Sequence, residues 1–195
     1  MSVAVPQRKG PDKIIDTDEH PRPGLTIEAL AKLRPAFKKD GGTVTAGNAS
    51  GINDGAAAII LISGKKANEL GIEPMAKVSA YTSTGVEAEI MGYGPVPAVE
   101  KLLEKTGLTI ADIDLFEINE AFAAQYFACE KLLNLPREKT NVNGSGVAMG
   151  HPVGCTGSRI TITLLYEMIR RDVKRGVASL CGMGGVATAL LIERE

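Results

Sequence analysis

A chain of 195 residues, 44% hydrophobic and with a formal net charge of −1, has the length for one sizeable core or two small ones. Acidic and basic residues nearly balance, at 23 and 22, with no long basic block, which disfavours nucleic acid and an anionic membrane surface as partners. No apolar stretch could span a bilayer, Met1-Ser2-Val3-Ala4-Val5-Pro6 lacks the layout of a secretory signal, and Cys129, Cys155 and Cys181 carry no CxxC spacing, so reduced thiols, no metal site and a cytoplasmic location are expected.

Residues 1–25 are rich in Pro, Gly, Asp and Lys and should be irregular and exposed. A Thr26 entry leads through Leu30, Leu33 and Phe37, at three- and four-residue spacing, to Gly41-Gly42, as a short amphipathic helix does. Thr43 to Gly51 is a loop of small residues. Asn53-Asp54-Gly55 should cap a brief alanine helix running into Ile59-Ile60-Leu61-Ile62, a run that reads as a buried strand. Lys77 to Thr82 is the next expected strand. Pro97 to Gly107 is a helix with Val99, Leu102 and Leu103 on one face. Ile113 to Ile118 largely alternates apolar and acidic residues and predicts a half-buried strand. Ala121 to Leu133 is a helix with Cys129 as a packing residue, Asn141-Val142-Asn143 a strand, and Gly157 to Asp172 a long helix. Val177 to Cys181 and Val186 to Ile192 are the last strands. Strands alternating with helices argue for a layered α/β domain with ligands at strand-to-helix junctions.

Three residues at such junctions carry usable chemistry. Asn119 precedes a helix, where an asparagine is most often an N-cap. His151 is confined between Gly150 and Pro152, just before Gly154-Cys155-Thr156-Gly157 opens a helix whose N-terminal amides favour negative charge, a setting for an imidazole that polarises a carbonyl oxygen. A lone buried histidine is more often structural. Cys181 closes a strand and enters the glycine-rich Gly182-Met183-Gly184-Gly185, where a thiol and backbone amides can share a cavity, although a single strand-end cysteine is more often a small core residue. An amide, an imidazole and a thiol together suit acyl chemistry on a thioester.

Asn119 to Phe122, Gly150 to Arg159 and Cys181 to Gly185 resemble, in order and separation, the Asn-Glu-Ala-Phe, Gly-His-Pro-x-Gly-x-x-Gly-x-Arg and Cys-x-Gly-Gly-Gly-like motifs of thiolases. The likeness extends through Leu33 to Phe37, Thr43 to Ala58 and Met91-Gly92-x-Gly94-Pro95, so it covers nearly the whole chain. It implies that Cys181 is the acid/base thiol, that His151 and Asn119 form an oxyanion hole, Asn119 through a held water, and that His151 also activates a nucleophilic cysteine belonging to an N-terminal half outside this sequence. The Met183 backbone N–H would serve a second oxyanion hole. Ser50, Ala46, Phe37 and Phe122 match residues lining the pantetheine tunnel, and Met91 would crowd the acyl pocket.

Met183 stands where many thiolases have glycine, and Cys155, at a helix N-terminus four residues after His151, departs from the usual small residue and is a conceivable substitute nucleophile. The implied fold is the thiolase fold, a layered α-β-α-β-α architecture. This chain is expected to supply the tail of the loop domain with its CoA-contacting loop (1–52), closing elements of the N-terminal domain (53–75) and a C-terminal domain (76–195) with a mixed five-stranded sheet. The implied reaction is condensation of two acetyl-CoA to acetoacetyl-CoA and the reverse thiolysis, with coenzyme A thioesters as substrates, no resident cofactor, and an N-terminal thiolase half or a homo-oligomer as partner. The alternatives are a non-catalytic truncated thiolase-like module and part of a 3-ketoacyl-CoA thiolase of longer chain specificity.

Overall fold

Two three-residue strands, β1 (Val3–Val5) and β2 (Lys13–Ile15), pair antiparallel near the start of the chain, and helix α1 (Ile27–Ala31) follows, capped by the Thr26 hydroxyl accepting from Ala29 N–H at 3.2 Å. The computed structural model describes residues 2–195; Met1 lies outside them. These first elements belong to one unit, extending to Arg34, and Pro35–Glu195 forms a second. The exposure expected for residues 1–25 holds, but the short strand pair was not foreseen, and the helix stops well before Phe37.

In the second unit the chain passes through the 43–51 loop and an extended stretch to α2 (Gly64–Leu70), β3 (Lys77–Gly85) and α3 (Pro95–Thr106). Then come β4 (Leu115–Ile118), α4 (Ala123–Leu133), the short α5 (Gly146–Met149), α6 (Thr156–Arg171), β5 (Arg175–Cys181) and β6 (Val186–Glu193). The four long strands form one mixed sheet in the order β3-β6-β5-β4, with β4 parallel to β5 and the other pairs antiparallel.

Side-chain alternation splits the core between the two faces of this sheet. Phe116 and Ile118 of β4, Val177 of β5 and Ala187, Ala189 and Leu191 of β6 pack with α3 and α4. Leu115, Ala178 and Ile192 point the other way, onto Ile160, Leu164 and Met168 of α6. Helix α3 begins with Pro95 in its first turn and ends at Gly107 in the left-handed region. Its buried Val96, Val99, Leu102 and Leu103 make a stripe one helical face wide. The unit is therefore a helix–sheet–helix sandwich.

The sheet has four strands, not five. Asn141 takes φ = 50°, which ends extended backbone, and the only ladder contact nearby among the described residues is an isolated bridge from Phe116 to Thr140, just before the segment expected as a strand. The Ile59 to Ile62 run is not a strand either. No described residue pairs with it, and Ile60 and Leu61 are 93% and 77% exposed, because a buried strand requires neighbours on its edges and both faces. The alanine helix before it is absent, and helix α2 forms instead, with Ser63 as N-cap and Gly71 closing it. β4 is buried on both faces rather than half-buried, so Glu117 is enclosed at 2% exposure.

Candidate active site

The parallel strands β4 and β5 end at the same edge of the sheet. Ile118 is in register with Ser179, the Asn119 N–H donates to the Ser179 carbonyl at 3.0 Å, and Cys181 closes β5 two residues further on. Asn119 does not cap the following helix: α4 starts at Ala123 with Phe122 in the capping position, and residues 119–122 run as a connection held by the Ala49–Phe122 bridge. Its carboxamide is fully buried, and neither Oδ1 nor Nδ2 has a partner among the described residues. An enclosed amide with both ends unmatched is costly unless something polar meets it.

Across from it, a Cβ placed on Gly146 at the start of α5 would lie 3.1 Å from Asn119 Oδ1 and 2.4 Å from the Glu120 carbonyl, so α5 seats directly on this junction. The next turn delivers His151. Gly150 takes φ = 94° and ψ = 161°, a backbone state open to glycine, and swings the chain into a parallel bridge between Ile52 and His151. Asn53 Oδ1 accepts from the His151 N–H at 3.2 Å, and His151 Nδ1 lies 2.7 Å from Thr156 Oγ1. Burial, assisted by the Arg159 guanidinium, holds the imidazole below its usual range, so the neutral form prevails.

Cys181 is 7% exposed, and burial raises its thiol above the ordinary range, which keeps the proton on sulfur at neutral pH. The turn after it depends on Gly185, at φ = 88°, where a Cβ would fall 2.0 Å from the Val86 carbonyl oxygen, while Val86 N–H donates to Gly185 O at 2.9 Å. The Met183 side chain points outward at 95% exposure, which removes it as an obstruction inside the turn. Cys129 is fully buried in α4, its thiol donating to the Gly92 carbonyl at 3.3 Å, the packing role expected of it.

The loop residues gather at the start of α4. Ser50 N–H donates to Ala121 O at 3.0 Å, Ala123 N–H donates to Asn48 O at 2.8 Å, and Phe37 meets Phe122 edge-on with ring centroids 5.6 Å apart. Ala46 sits in the same loop, in the tight turn where Asn48 Oδ1 accepts from Thr45 N–H at 2.8 Å. Met91 sits on the turn Ala88–Tyr93, which packs against both α4 and the 183–185 turn. Cys155 borders a different space, a cavity of about 380 Å³ between residues 53–57 and the 152–155 turn, and neither Cys181 nor Asn119 lines it.

Two charged residues behind the site were given no role from sequence. Glu117 lies on the same strand face as Asn119, two residues before it, and burial pushes its carboxyl up to about 8 against the pull of Arg159. All three Arg159 guanidinium nitrogens are enclosed without a partner among the described residues. An acidic residue inside an otherwise apolar strand was the available signal for Glu117.

The family model described as "Thiolase, C-terminal domain" matches residues 72–194, and "Thiolase, N-terminal domain" matches residues 1–65. An acetyl-CoA acetyltransferase of Syntrophomonas wolfei is 60% identical over 195 residues, covering 99% of this chain and 48% of that protein. One from Allochromatium vinosum is 55% identical over 194 residues, covering 100% of this chain and 49% of that protein. The chain thus spans about half the length of these relatives. Among solved structures, the Bacillus anthracis acetyl-CoA acetyltransferase superposes with a TM-score of 0.89 at 54% identity, over 99% of this chain and 48% of that one. Human mitochondrial 3-ketoacyl-CoA thiolase gives 0.86 at 49% identity, over 93% and 46%.

Proposed function

Because the chain belongs to the thiolase family, we propose that it carries the acid/base and oxyanion part of an acetyl-CoA acetyltransferase, condensing two acetyl-CoA to acetoacetyl-CoA and running the reverse thiolysis together with a polypeptide that bears the nucleophilic cysteine. The observation that carries this reading is the fully buried, unpartnered Asn119 carboxamide at the strand edge shared with Cys181. In acyl transfer the Cys181 thiol gives its proton to the departing CoA thiolate, and the Cys181 thiolate so formed takes a proton from the acetyl methyl in condensation, the resulting enolate oxygen being met by donors from His151 and, through water, Asn119. In thiolysis Cys181 returns the proton, which suits a thiol kept protonated by burial. The Met183 backbone N–H donates to the acyl-enzyme oxygen.

The loop carrying Ala46 and Ser50, with Phe37 against Phe122, supports a slot for the pantetheine arm, and Met91 borders the acyl end. The likeness to a human thiolase solved "in complex with CoA", at 47% identity and a TM-score of 0.84, supports coenzyme A thioesters as the ligands. Identities of 55% and 60% to acetyl-CoA acetyltransferases support the short acyl chain.

The exposed Ile59 to Ile62 run favours an edge and face covered by another polypeptide, which we assign to the complementing thiolase half. Residues 1–52, 53–75 and 76–195 then divide as loop-domain tail, N-terminal-domain elements and C-terminal domain. No described helix is long and apolar enough to cross a membrane, and we assign the cytoplasm as the working compartment. The test is reconstitution: this chain mixed with an N-terminal thiolase half should cleave acetoacetyl-CoA in the presence of CoA, and a stable complex without turnover would overturn the assignment.

A further inference from the structure

Thr156 opens helix α6 fully buried, with its Oγ1 2.7 Å from His151 Nδ1 and 3.0 Å from the Pro152 carbonyl oxygen. A hydroxyl has one proton to give, and both neighbours can accept it. The Pro152 oxygen already accepts two backbone N–H groups, from Cys155 at 2.8 Å and Thr156 at 2.9 Å, which engage both of its lone pairs. Nδ1 has no other partner among the described residues, and 2.7 Å is a short O–H···N separation.

From this geometry we propose that Thr156 is a positioning residue: its hydroxyl donates to His151 Nδ1, fixing the imidazole as the tautomer with the proton on Nε2. The inference rests on the proposed thiolase role of His151 and adds how that role is set. A neutral imidazole protonated on Nε2 is a hydrogen-bond donor. It can meet a developing enolate oxygen, or the thiolate of a nucleophilic cysteine, without first acquiring a charge. The opposite tautomer would aim a lone pair at the same oxygen and repel it. The backbone of His151 is pinned by Asn53, so ring rotation is the freedom Thr156 removes.

The chain has only two histidines, His20 and His151, so ring-nitrogen NMR of the ¹⁵N-labelled 195-residue chain at pH 8 reads the tautomer directly. The expected spectrum shows His151 protonated at Nε2, with Nδ1 bare and shifted by an accepted hydrogen bond. Thr156→Val should move the Nδ1 signal towards that of an unbonded nitrogen or admit the second tautomer, and Thr156→Ser should restore the original pattern. A wild-type His151 protonated at Nδ1, or signals unmoved in Thr156→Val, overturns the proposal, and the first of these needs no variant to fold. In the reconstituted enzyme Thr156→Val should lower kcat about tenfold, with KM for CoA little changed and Thr156→Ser near wild type. Absence of any turnover in the wild-type mixture would count against the thiolase reading, while the NMR pattern would still decide the role of Thr156.

Discussion

The Asn141 carboxamide clamps Ile118 at two points, accepting from its N–H and donating to its carbonyl, each at 2.8 Å. A side chain thereby does for the last residue of β4 what a fifth strand would have done, and it does so one residue before Asn119. The same Nδ2 also reaches Glu120 Oε1 at 3.2 Å, so residues on both sides of Asn119 are held from one amide.

Asn141→Ala should therefore cost more than a surface change. It takes the side-chain acceptor from the Ile118 N–H, leaves the Ile118 carbonyl with the Ser145 hydroxyl alone at 3.3 Å, and trades a left-handed Asn for a residue less suited to φ = 50°. We expect a loss of about 2–4 kcal/mol in urea unfolding. In the reconstituted enzyme, turnover should fall by more than substrate affinity does, as Asn119 loses its anchor. A stability change below 0.5 kcal/mol would show the clamp to be incidental.

Glu117 predicts a pH signature in stability. Its carboxyl rises from an ordinary 4.5 to about 8, chiefly through burial. Between those values the folded chain keeps a proton that the unfolded chain has released. Raising the pH through that window then favours unfolding by about 1.4 kcal/mol per pH unit from this group alone, and the slope vanishes above about pH 8. His151 acts oppositely, being held below its usual range when folded, so the diagnostic is the difference between variants. Glu117→Gln should lose the component that falls from pH 5 to 8, read from urea midpoints at each pH. Parallel curves for the two proteins would show Glu117 ionised in the fold.

What the sequence made legible here follows the range of the interactions. Helices α3 and α6 and strands β5 and β6 were readable because their apolar periods are local and their neighbours lie within the second unit. The Ile59 to Ile62 run has the composition of a strand, but strand formation is decided by partners, and none is present among the described residues. The fifth strand failed at one residue, where Asn141 prefers the turn and clamp to extended backbone. Of the proposed site, Asn119, His151 and Cys181 came from motif order, whereas the enclosure of Glu117 and Arg159 and the Thr156 contact with His151 depend on what faces what across the β4–α6 layer, which no local pattern encodes.

The turn after Cys181 offers a cleaner test of backbone geometry. Gly185→Ala forces a side chain into φ = 88° and onto the Val86 carbonyl. Destabilisation of at least about 2 kcal/mol is expected, with the change confined by NMR to residues near 86 and 181–187. Gly182→Ala, where φ is −128° and the nearest contact is 3.4 Å, should be far milder. Equal effects would mean the turn is not held by Gly185.

Two substitutions separate the proposed roles within the site. His151→Ala in the reconstituted enzyme should reduce turnover by about two to three powers of ten, the scale of a lost oxyanion donor, with CoA affinity little changed. Cys181→Ser retains shape but places the proton on a far weaker acid, so condensation should suffer more than acyl transfer onto the nucleophile. Equal loss in both half-reactions would make Cys181 structural.

The 195 residues alone should have no thiolase turnover, because none of their cysteines is placed to hold an acyl group while one CoA leaves and the next substrate enters. Cys129 is fully buried and donates to Gly92, with burial pushing its thiol up to about 11. Cys181 is the residue we propose to move the proton, and a group cannot both carry the acyl chain and deprotonate the second acetyl-CoA. Cys155 is partly exposed, but it faces the cavity bordered by residues 53–57, which Asn119 and Cys181 do not line. The assay is thiolysis of acetoacetyl-CoA by the purified chain, followed by mass spectrometry for acetylated cysteine after incubation with acetyl-CoA. Neither cleavage nor a stable acetyl adduct is expected. Turnover accompanied by acetyl-Cys155 would make that thiol the nucleophile and place the reaction in the 53–57 cavity rather than at the β4–β5 edge.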